Sequence, residues 1–420
     1  MKRWRNIWSD QGGNTAVMFG LAIVPIVGLS GGAVDFSRRA HVRVEMQSAA
    51  DTAALAAGRI LQSRPTTDAA KLALVKEDAR EAAENVFRAA LANTGDGDGP
   101  MPTIEFVDGV VRVSGDVTVP TSFLGVIGIS SLQAKALAEV AVPDPTFLEV
   151  AMVLDFSGSM QDAEKYVRMA AAATDFIERM EASRPDLAKI AVVPFSEFVY
   201  AALPTGNIRD TAGADANVPL TTCLMNRGYP YSATEEQPLA NVAGSRWPQS
   251  DPNQAACLQY ATNSLRVLDL TSDFDSLTAS LSAMRPTRLT NITLGAEIGW
   301  HVLSPGEPFD SARPYSDPVA RKILILLTDG MQTVAAEGPD GSTSTQAADE
   351  VTAELCDSMD STGVDVFTIA YDVTDEGVRS LLAGCASSAG NYYEPIGANS
   401  VATVFEDIFA QITESAWLSR

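Results

Sequence analysis

Residues Phe147 to Leu154 form a mostly apolar run that ends at Asp155, and Ser157 and Ser159 occupy the next two alternate positions. A short apolar run of this kind reads as a buried strand, which leaves a chain few architectures to choose from. One carboxylate and two hydroxyls then leave the strand at its carboxyl end, the edge where open parallel sheets bind ligands. These hard oxygen donors suit Mg²⁺, Mn²⁺ or Ca²⁺ rather than zinc. The segment points to metal-assisted binding.

From that strand onward, apolar strands alternate with helical patterns. Strands are expected at Leu148–Leu154, at Lys189–Val193 extending towards Tyr200, and at Lys322–Leu327, Asp365–Ala370 and Tyr392–Glu394. Helices are expected at Asp162–Ser183, Asp273–Met284, Asn291–Leu303, Ser344–Ser361, Asp375–Ala383 and Val401–Ser415. Such alternation predicts an α/β fold with a doubly wound parallel sheet. Residues 203–270 break the rhythm: they are rich in Pro, Asn, Gly and Ser, lack periodicity, and read as an irregular insertion.

Two later segments bring oxygen to the same sheet edge. Thr290 precedes a helix beginning near Asn291, and Asp329 follows the apolar strand Ile323–Leu327 ahead of Gly330. Three strand-to-helix loops would then converge on one cation. Thr290 could also cap its helix, and Thr287 and Thr293 lie close enough to compete as donors. The motifs D-x-S-x-S at 155–159, T-N-I at 290–292 and L-L-T-D-G at 326–330 resemble the von Willebrand factor A domain and its metal-ion-dependent adhesion site. The resemblance covers roughly residues 147–415 and implies a Rossmann-like fold. It also implies that Ser157, Ser159 and Thr290 contact a Mg²⁺ (or Mn²⁺ or Ca²⁺) directly, and Asp155 and Asp329 mainly through water. In that family an acidic residue of a protein partner completes the coordination.

Other chemistry finds little support. The formal charge of −23 argues against binding nucleic acid through its phosphates. The cysteines (Cys223, Cys257, Cys356, Cys385) form no C-x-x-C, and the histidines are His41 and His301, so a zinc site is not expected. Their spacing favours pairs Cys223–Cys257 and Cys356–Cys385 in an oxidising compartment, with four buried free thiols as the alternative. No phosphate-binding G-x-x-x-x-G-K-[ST] loop occurs, and no G-x-S-x-G elbow at a strand-to-helix turn, so an enzyme is not expected. Asp155 as a phosphatase nucleophile would want a nearby lysine, and Lys322 lies at the far end of its strand. Trp300 and His301 read as packing residues, Tyr392 and Tyr393 as strand core, and Asp162 and Glu164 as acids opening a helix.

The N-terminus places this domain. Residues 16–34 carry no charge and have the length of a spanning helix, with Lys2, Arg3 and Arg5 before it and Arg38, Arg39 and Arg43 after it. An uncleaved anchor is favoured over a signal peptide with a cleavage site near Gly31-Gly32-Ala33. An alanine-rich helix follows, with Val42, Met46, Ala49, Ala53 and Ala57 on one face, and Pro65 ends it. A second helix (Asp68–Leu91), a loop at 93–100, a hairpin about Asp108-Gly109, a short helix (Ser122–Ile129) and a strand (Leu132–Val142) complete a small α+β unit. The division expected is 1–35 tip and anchor, 36–145 stalk, 146–420 A domain, with a boundary near Pro143-Asp144-Pro145.

Gly12-Gly-Asn-Thr-Ala-Val-Met-Phe, then Val34-Asp-Phe-Ser-Arg, then Gln47-Ser-Ala-Ala-Asp-Thr-Ala-Ala-Leu-Ala-Ala57 resemble the TadG and TadE type of tight-adherence (Flp) pilus-assembly proteins. Members of the TadG type commonly carry a C-terminal von Willebrand A domain, so the two resemblances agree. No Glu stands five residues after Gly12 or Gly13, so prepilin-type processing is not predicted. Together they imply a single-pass protein of the bacterial inner membrane whose C-terminal domain is periplasmic or surface-exposed. It would bind a protein partner through a cation, beside other pilus-assembly components. The alternative is a minor-pilin-like scaffold in which the metal site is not essential.

Overall fold

The computed structural model describes residues 12–91, 101–142, 145–210, 221–251, 254–397 and 400–415. The expected loop at 93–100, the bases Lys2, Arg3 and Arg5, and the junction residues Pro143 and Asp144 lie outside them. The chain divides into two compact units, Met1–Asp144 and Pro145–Arg420.

In the first unit one helix, α1 (Gly12–Ser63), runs through both the uncharged segment and the alanine-rich segment. No break stands at residue 35, because nothing in the sequence there stops a helix. The stop comes at Pro65, which disfavours helical geometry in the residue before it. Helix α2 (Ala69–Leu91) starts where the Asp68 carboxylate accepts from the N–H groups of Ala70 at 2.8 Å and Lys71 at 2.9 Å. Strands β1 (Thr103–Val107), β2 (Val110–Pro120) and β3 (Ser131–Ala141) form an antiparallel sheet. Asp108 at φ 49° and Gly109 at φ 71° make the tight β1–β2 turn. Met46, Ala49, Ala53 and Ala57 of α1 pack against Ala83 and Phe87 of α2 and Val111, Val113, Ala134 and Ala136 of the sheet. Alanine on that face permits close approach, and a Cβ at Gly58 would stand 3.0 Å from the Val140 side chain. The short helix expected at 122–129 is a single 3₁₀ turn, Leu124–Ile127.

The second unit begins with β4 (Phe147–Asp155), α3 (Lys165–Ser183), β5 (Ala188–Phe195) and β6 (Val199–Ala202). Then come β7 (Ile208–Arg209), β8 (Thr221–Leu224), β9 (Trp247–Pro248), α4 (Ala255–Thr262), β10 (Leu268–Thr271), α5 (Phe274–Ala283) and α6 (Ile292–Leu303). The remainder is β11 (Ala320–Thr328), β12 (Ala336–Glu337), β13 (Thr343–Ser344), α7 (Thr345–Ser361), β14 (Val364–Ala370), α8 (Glu376–Cys385), β15 (Tyr392–Tyr393) and α9 (Ser400–Ser415).

The main sheet has the order β15-β14-β11-β4-β5-β6-β8, with β10 also paired to β5. It is parallel from β15 to β5, but β6, β8 and β10 join antiparallel. The sheet is therefore mixed rather than wholly parallel. Only residues 196–198 separate β5 from β6, which allows a hairpin but not the crossover that a parallel pair requires. The strand expected to extend towards Tyr200 turns back instead.

Alternate residues of β4 feed two cores. Leu148, Val150, Met152 and Leu154 meet α3 (Met169, Phe176) and α9 (Phe405, Ile408). Ala151 and Val153 meet α6 (Leu294, Ile298), α7 (Leu355, Met359) and α8 (Leu382). A Cβ at Gly299 would collide with Val153, and glycine there lets α6 lie close on the sheet. The stretch 203–270 is less irregular than its composition suggests, since β8 and β10 are strands of the main sheet. Both cysteine pairs, Cys223–Cys257 and Cys356–Cys385, are disulfide-bonded, and the free-thiol alternative is not realised.

Candidate metal centre

Asp155 is the last residue of β4 and wholly buried. One carboxylate oxygen accepts from Ser157 N–H at 2.7 Å, and the other accepts from the hydroxyl of Thr328, the last residue of β11, at 2.7 Å. Ser157 and Ser159 hydroxyls lie 3.0 Å apart, and Ser159 donates to Asp329 at 2.6 Å. Four of the five residues singled out in the sequence thus form one hydrogen-bonded chain at the carboxyl edge of β4 and β11.

Thr290, the fifth, reaches this edge through its backbone. Its N–H donates to Thr333 Oγ1 at 2.8 Å, and its carbonyl accepts from Thr333 N–H at 2.9 Å. Its own hydroxyl makes no hydrogen bond among the described residues, although the residue is 5% exposed. Gly158 N–H donates to Arg288 C=O at 2.9 Å, so all three loops are pinned to one another. A Cβ at Gly158 would sit 3.0 Å from that carbonyl, which explains glycine between the two serines.

The competing threonines face elsewhere. Thr287 donates to Gln259 at 3.1 Å, and Thr293 is buried against Ala348 and Thr352. Thr290 is not the cap of α6: Asn291 is, accepting from Leu294 N–H at 3.3 Å, with Gln332 taking Ile292 N–H at 2.6 Å.

The approach to α3 differs from expectation. Residues Gly158–Glu164 form a 3₁₀ segment kinked by Ala163 and Glu164, both at positive φ, and α3 starts only at Lys165. Asp162 therefore lies outside the helix, and Glu164 takes its N-cap position without a side-chain hydrogen bond to it. The kink brings the Lys165 ammonium onto the second carboxylate oxygen of Asp329. Sequence reasoning missed this lysine, because its distance from Asp329 is 164 residues and its position depends on two left-handed residues. The premise that no lysine stands near Asp155 is corrected. A nucleophilic role for Asp155 still meets a steric objection, since both its oxygens are engaged and it has no exposed surface.

Electrostatics make the site suited to a cation. Burial, and then the neighbouring Asp329 carboxylate, push the Asp155 carboxyl up to about 6, against the hydrogen bonds from Ser157 and Thr328 that pull it down. Two carboxylates, three hydroxyls and a single ammonium form a donor set short of positive charge. Among the described residues no group of three or more His, Cys, Asp and Glu could hold a metal, so a cation at this edge would need other oxygens, such as hydroxyls, beside the two carboxylates. Residues Ser157, Ser159, Thr290, Asp155 and Asp329 fit that requirement.

Farther from this edge, the packing role expected for His301 holds, with a partner that sequence could not supply. Buried Arg227 pairs with Glu297, lies 2.8 Å from His301 Nε2, and donates to the carbonyls of Tyr231, Thr234 and Glu236. It fastens the 203–270 stretch to α6. Lys322 sits at the opposite end of β11, paired with Glu149 at 2.6 Å. Tyr392 and Tyr393 are only half-buried rather than core.

Comparison with known proteins gives one family match: a model described as putative Flp pilus-assembly TadE/G-like fits residues 13–59. No curated protein matches the sequence. Among solved structures, the pilus adhesin SpaC of Lactobacillus rhamnosus GG in its open conformation is 13% identical at a TM-score of 0.41, covering 76% of this chain and 34% of that one. The vWF domain of the type V pili tip protein Mfa5 from Porphyromonas gingivalis is 12% identical at 0.40, covering 65% of this chain and 97% of that one. Proximal thread matrix protein 1 from the mussel byssus, solved with a zinc-occupied MIDAS motif, is 15% identical at 0.36, covering 64% and 46%. This chain spans a third to a half of the length of the first and last of these. At such TM-scores the likenesses carry no detail over to this chain.

Proposed function

We propose that this chain is a membrane-anchored binding protein of a Tad/Flp-type pilus-assembly or adherence system. In this reading its 145–420 unit is a von Willebrand A domain that captures a protein partner through a divalent cation. The observation that carries it is the closed ring of three loops, in which Asp155, Ser157, Ser159 and Asp329 form one polar chain and the loop bearing Thr290 is pinned to the other two through its backbone. The cation would be held by Ser157, Ser159 and Thr290, with Asp155 and Asp329 behind them, and it would supply a Lewis-acidic position for a partner carboxylate. Lys165 neutralises Asp329 and so lessens the repulsion between the two acids.

The match over residues 13–59 supports the pilus-assembly setting. Among the described residues one helix is long and apolar enough to cross a membrane, and residues 16–34 would form the span. The two disulfides favour an oxidising compartment such as the periplasm or cell surface for the second unit.

The test is a calorimetric titration of the chain with Mg²⁺, Mn²⁺ and Ca²⁺, beside Asp155→Ala and Ser157→Ala. Binding by the parent that is lost in both variants supports the site. Absence of binding at millimolar metal removes the cation from the mechanism and favours the scaffold role. Under that alternative the first unit carries the function, and substitutions there, not at Asp155, abolish pilus assembly.

A further inference from the structure

Outside α1, the turn between β2 and β3 is the most apolar exposed segment in the first unit. Phe123, Val126, Ile127 and Ile129 are 41%, 80%, 58% and 43% exposed, and no charged residue occurs from Val117 to Ala134. Soluble surfaces rarely gather four such side chains in seven residues, and when they do the patch marks an interaction site.

The turn is held at a defined place on α1. The Asp35 carboxylate accepts from three successive N–H groups, those of Ser122 at 2.9 Å, Phe123 at 2.9 Å and Leu124 at 2.8 Å. One turn lower, Gly31 and Gly32 make room for it: a Cβ on Gly31 would collide with Phe123, and one on Gly32 would meet Leu124 at 3.2 Å. The base of the turn is closed by Thr121 N–H donating to Ser130 C=O at 3.1 Å. Arg39 ties α1 to the start of β3 through Gln133 C=O at 2.7 Å.

Gly31 lies within the last turn of the uncharged 16–34 segment, about 6 Å along the axis below Asp35. That segment is about 28 Å long, close to the hydrocarbon thickness of a bilayer. The arginines Arg38, Arg39 and Arg43 follow immediately, at the level of headgroups. On α1 itself Leu29 and Val34 are exposed at this same level. The apolar turn therefore continues the lipid-facing surface of the helix sideways.

We propose that the 122–129 turn dips into the membrane interface beside α1, giving this protein a second contact with the lipid acyl-chain boundary. A single helix can rotate and tilt in a bilayer. A second apolar contact, locked to it by Asp35, would fix the azimuth and tilt at which the stalk leaves the membrane. The inference rests on the reading of residues 16–34 as a span, and its test separates the two.

Because the described cysteines are all in disulfides, single cysteines can be introduced for labelling into the full chain. Val126→Cys, Leu21→Cys and Asp116→Cys would each carry an environment-sensitive fluorophore, in phosphatidylcholine–phosphatidylglycerol vesicles with and without brominated acyl chains. The expected result is blue-shifted, bromine-quenched emission from 126 and 21, and unquenched, water-like emission from 116. If 21 is quenched while 126 behaves as 116 does, the turn does not enter the membrane and the proposal is overturned with the anchor intact. If neither 21 nor 126 is quenched, the span reading falls and the proposal with it.

Discussion

Replacing Asp155 by asparagine should stabilise the metal-free fold and abolish its response to cations. Burial and the Asp329 carboxylate raise the Asp155 carboxyl from 3.8 to about 6. A two-unit rise amounts to about 3 kcal/mol at neutral pH. The sign follows from proton binding: the folded chain holds the Asp155 proton more tightly than the unfolded chain does. Stability from this group is complete below the unfolded value, falls as pH rises through the folded value, and is absent above it. An amide is neutral throughout, so the penalty disappears. The variant also disturbs the bond from Thr328, worth about 1 kcal/mol, which leaves a net gain of about 1–2 kcal/mol. For a unit of this size that is a melting-point rise of about 2–8 °C. A cation at a hundred times its dissociation constant would stabilise the parent by about 2.7 kcal/mol and the variant not at all. Calorimetric melts of residues 145–420 in chelator and in Mg²⁺ should therefore cross: the variant melts higher without metal, the parent higher with it. The gap in chelator should close as pH is lowered through about 6 towards the ordinary carboxyl value. A variant that melts lower than the parent in chelator, or that gains as much from metal, refutes the reasoning.

Further outcomes can be measured on the full chain. Lys165→Met removes the ammonium from Asp329 and should tighten divalent-cation binding by about tenfold, since a unit charge at such range is worth more than 1 kcal/mol even when partly screened; weaker binding in a titration would show that the lysine orders the site instead. Arg227→Met leaves Glu297 buried without its partner and should lower stability by about 3–5 kcal/mol in denaturant melts, with Glu297→Gln recovering part of the loss. Burial raises the Glu297 carboxyl to about 7 even with Arg227 holding it down, so in the single variant it rises further and stability should be regained as pH falls from above that value. Exchanging both Cys223 and Cys257 for serine opens a loop of 34 residues and should cost about 4 kcal/mol; unchanged melting under reducing and oxidising conditions would count against it. Ala53→Leu forces a larger side chain between α1, α2 and the small sheet and should destabilise the first unit by about 1–3 kcal/mol, read from proteolysis or thermal melts.

The structure also changes what the alanine-rich face means. Ala49, Ala53 and Ala57 have no exposed surface and are spent inside their own unit. A scaffold role through lateral contacts would have to use other surface, so a defect from changing these alanines would report on folding of the first unit.

The sequence by itself determined what depends on neighbours along the chain. An apolar run followed by a short oxygen-bearing loop is a local pattern, so β4, β11 and the loops bearing Asp155, Thr290 and Asp329 were readable without coordinates. The same holds for the hairpin at Asp108-Gly109, where two residues at positive φ suffice to set the turn, and for the end of α1 at Pro65. Tertiary structure decided what depends on groups far apart in sequence. The place of Lys165 on Asp329 follows from a kink at Ala163 and Glu164 that no periodicity announces. The antiparallel strands β6, β8 and β10 follow from how a composition-poor stretch finds a sheet edge, and Arg227 reaches Glu297 only because that stretch folds over α6. The upward shift of the Asp155 carboxyl is likewise invisible in a string of letters, because it arises from excluded water and from a second carboxylate brought to the same edge by a different strand.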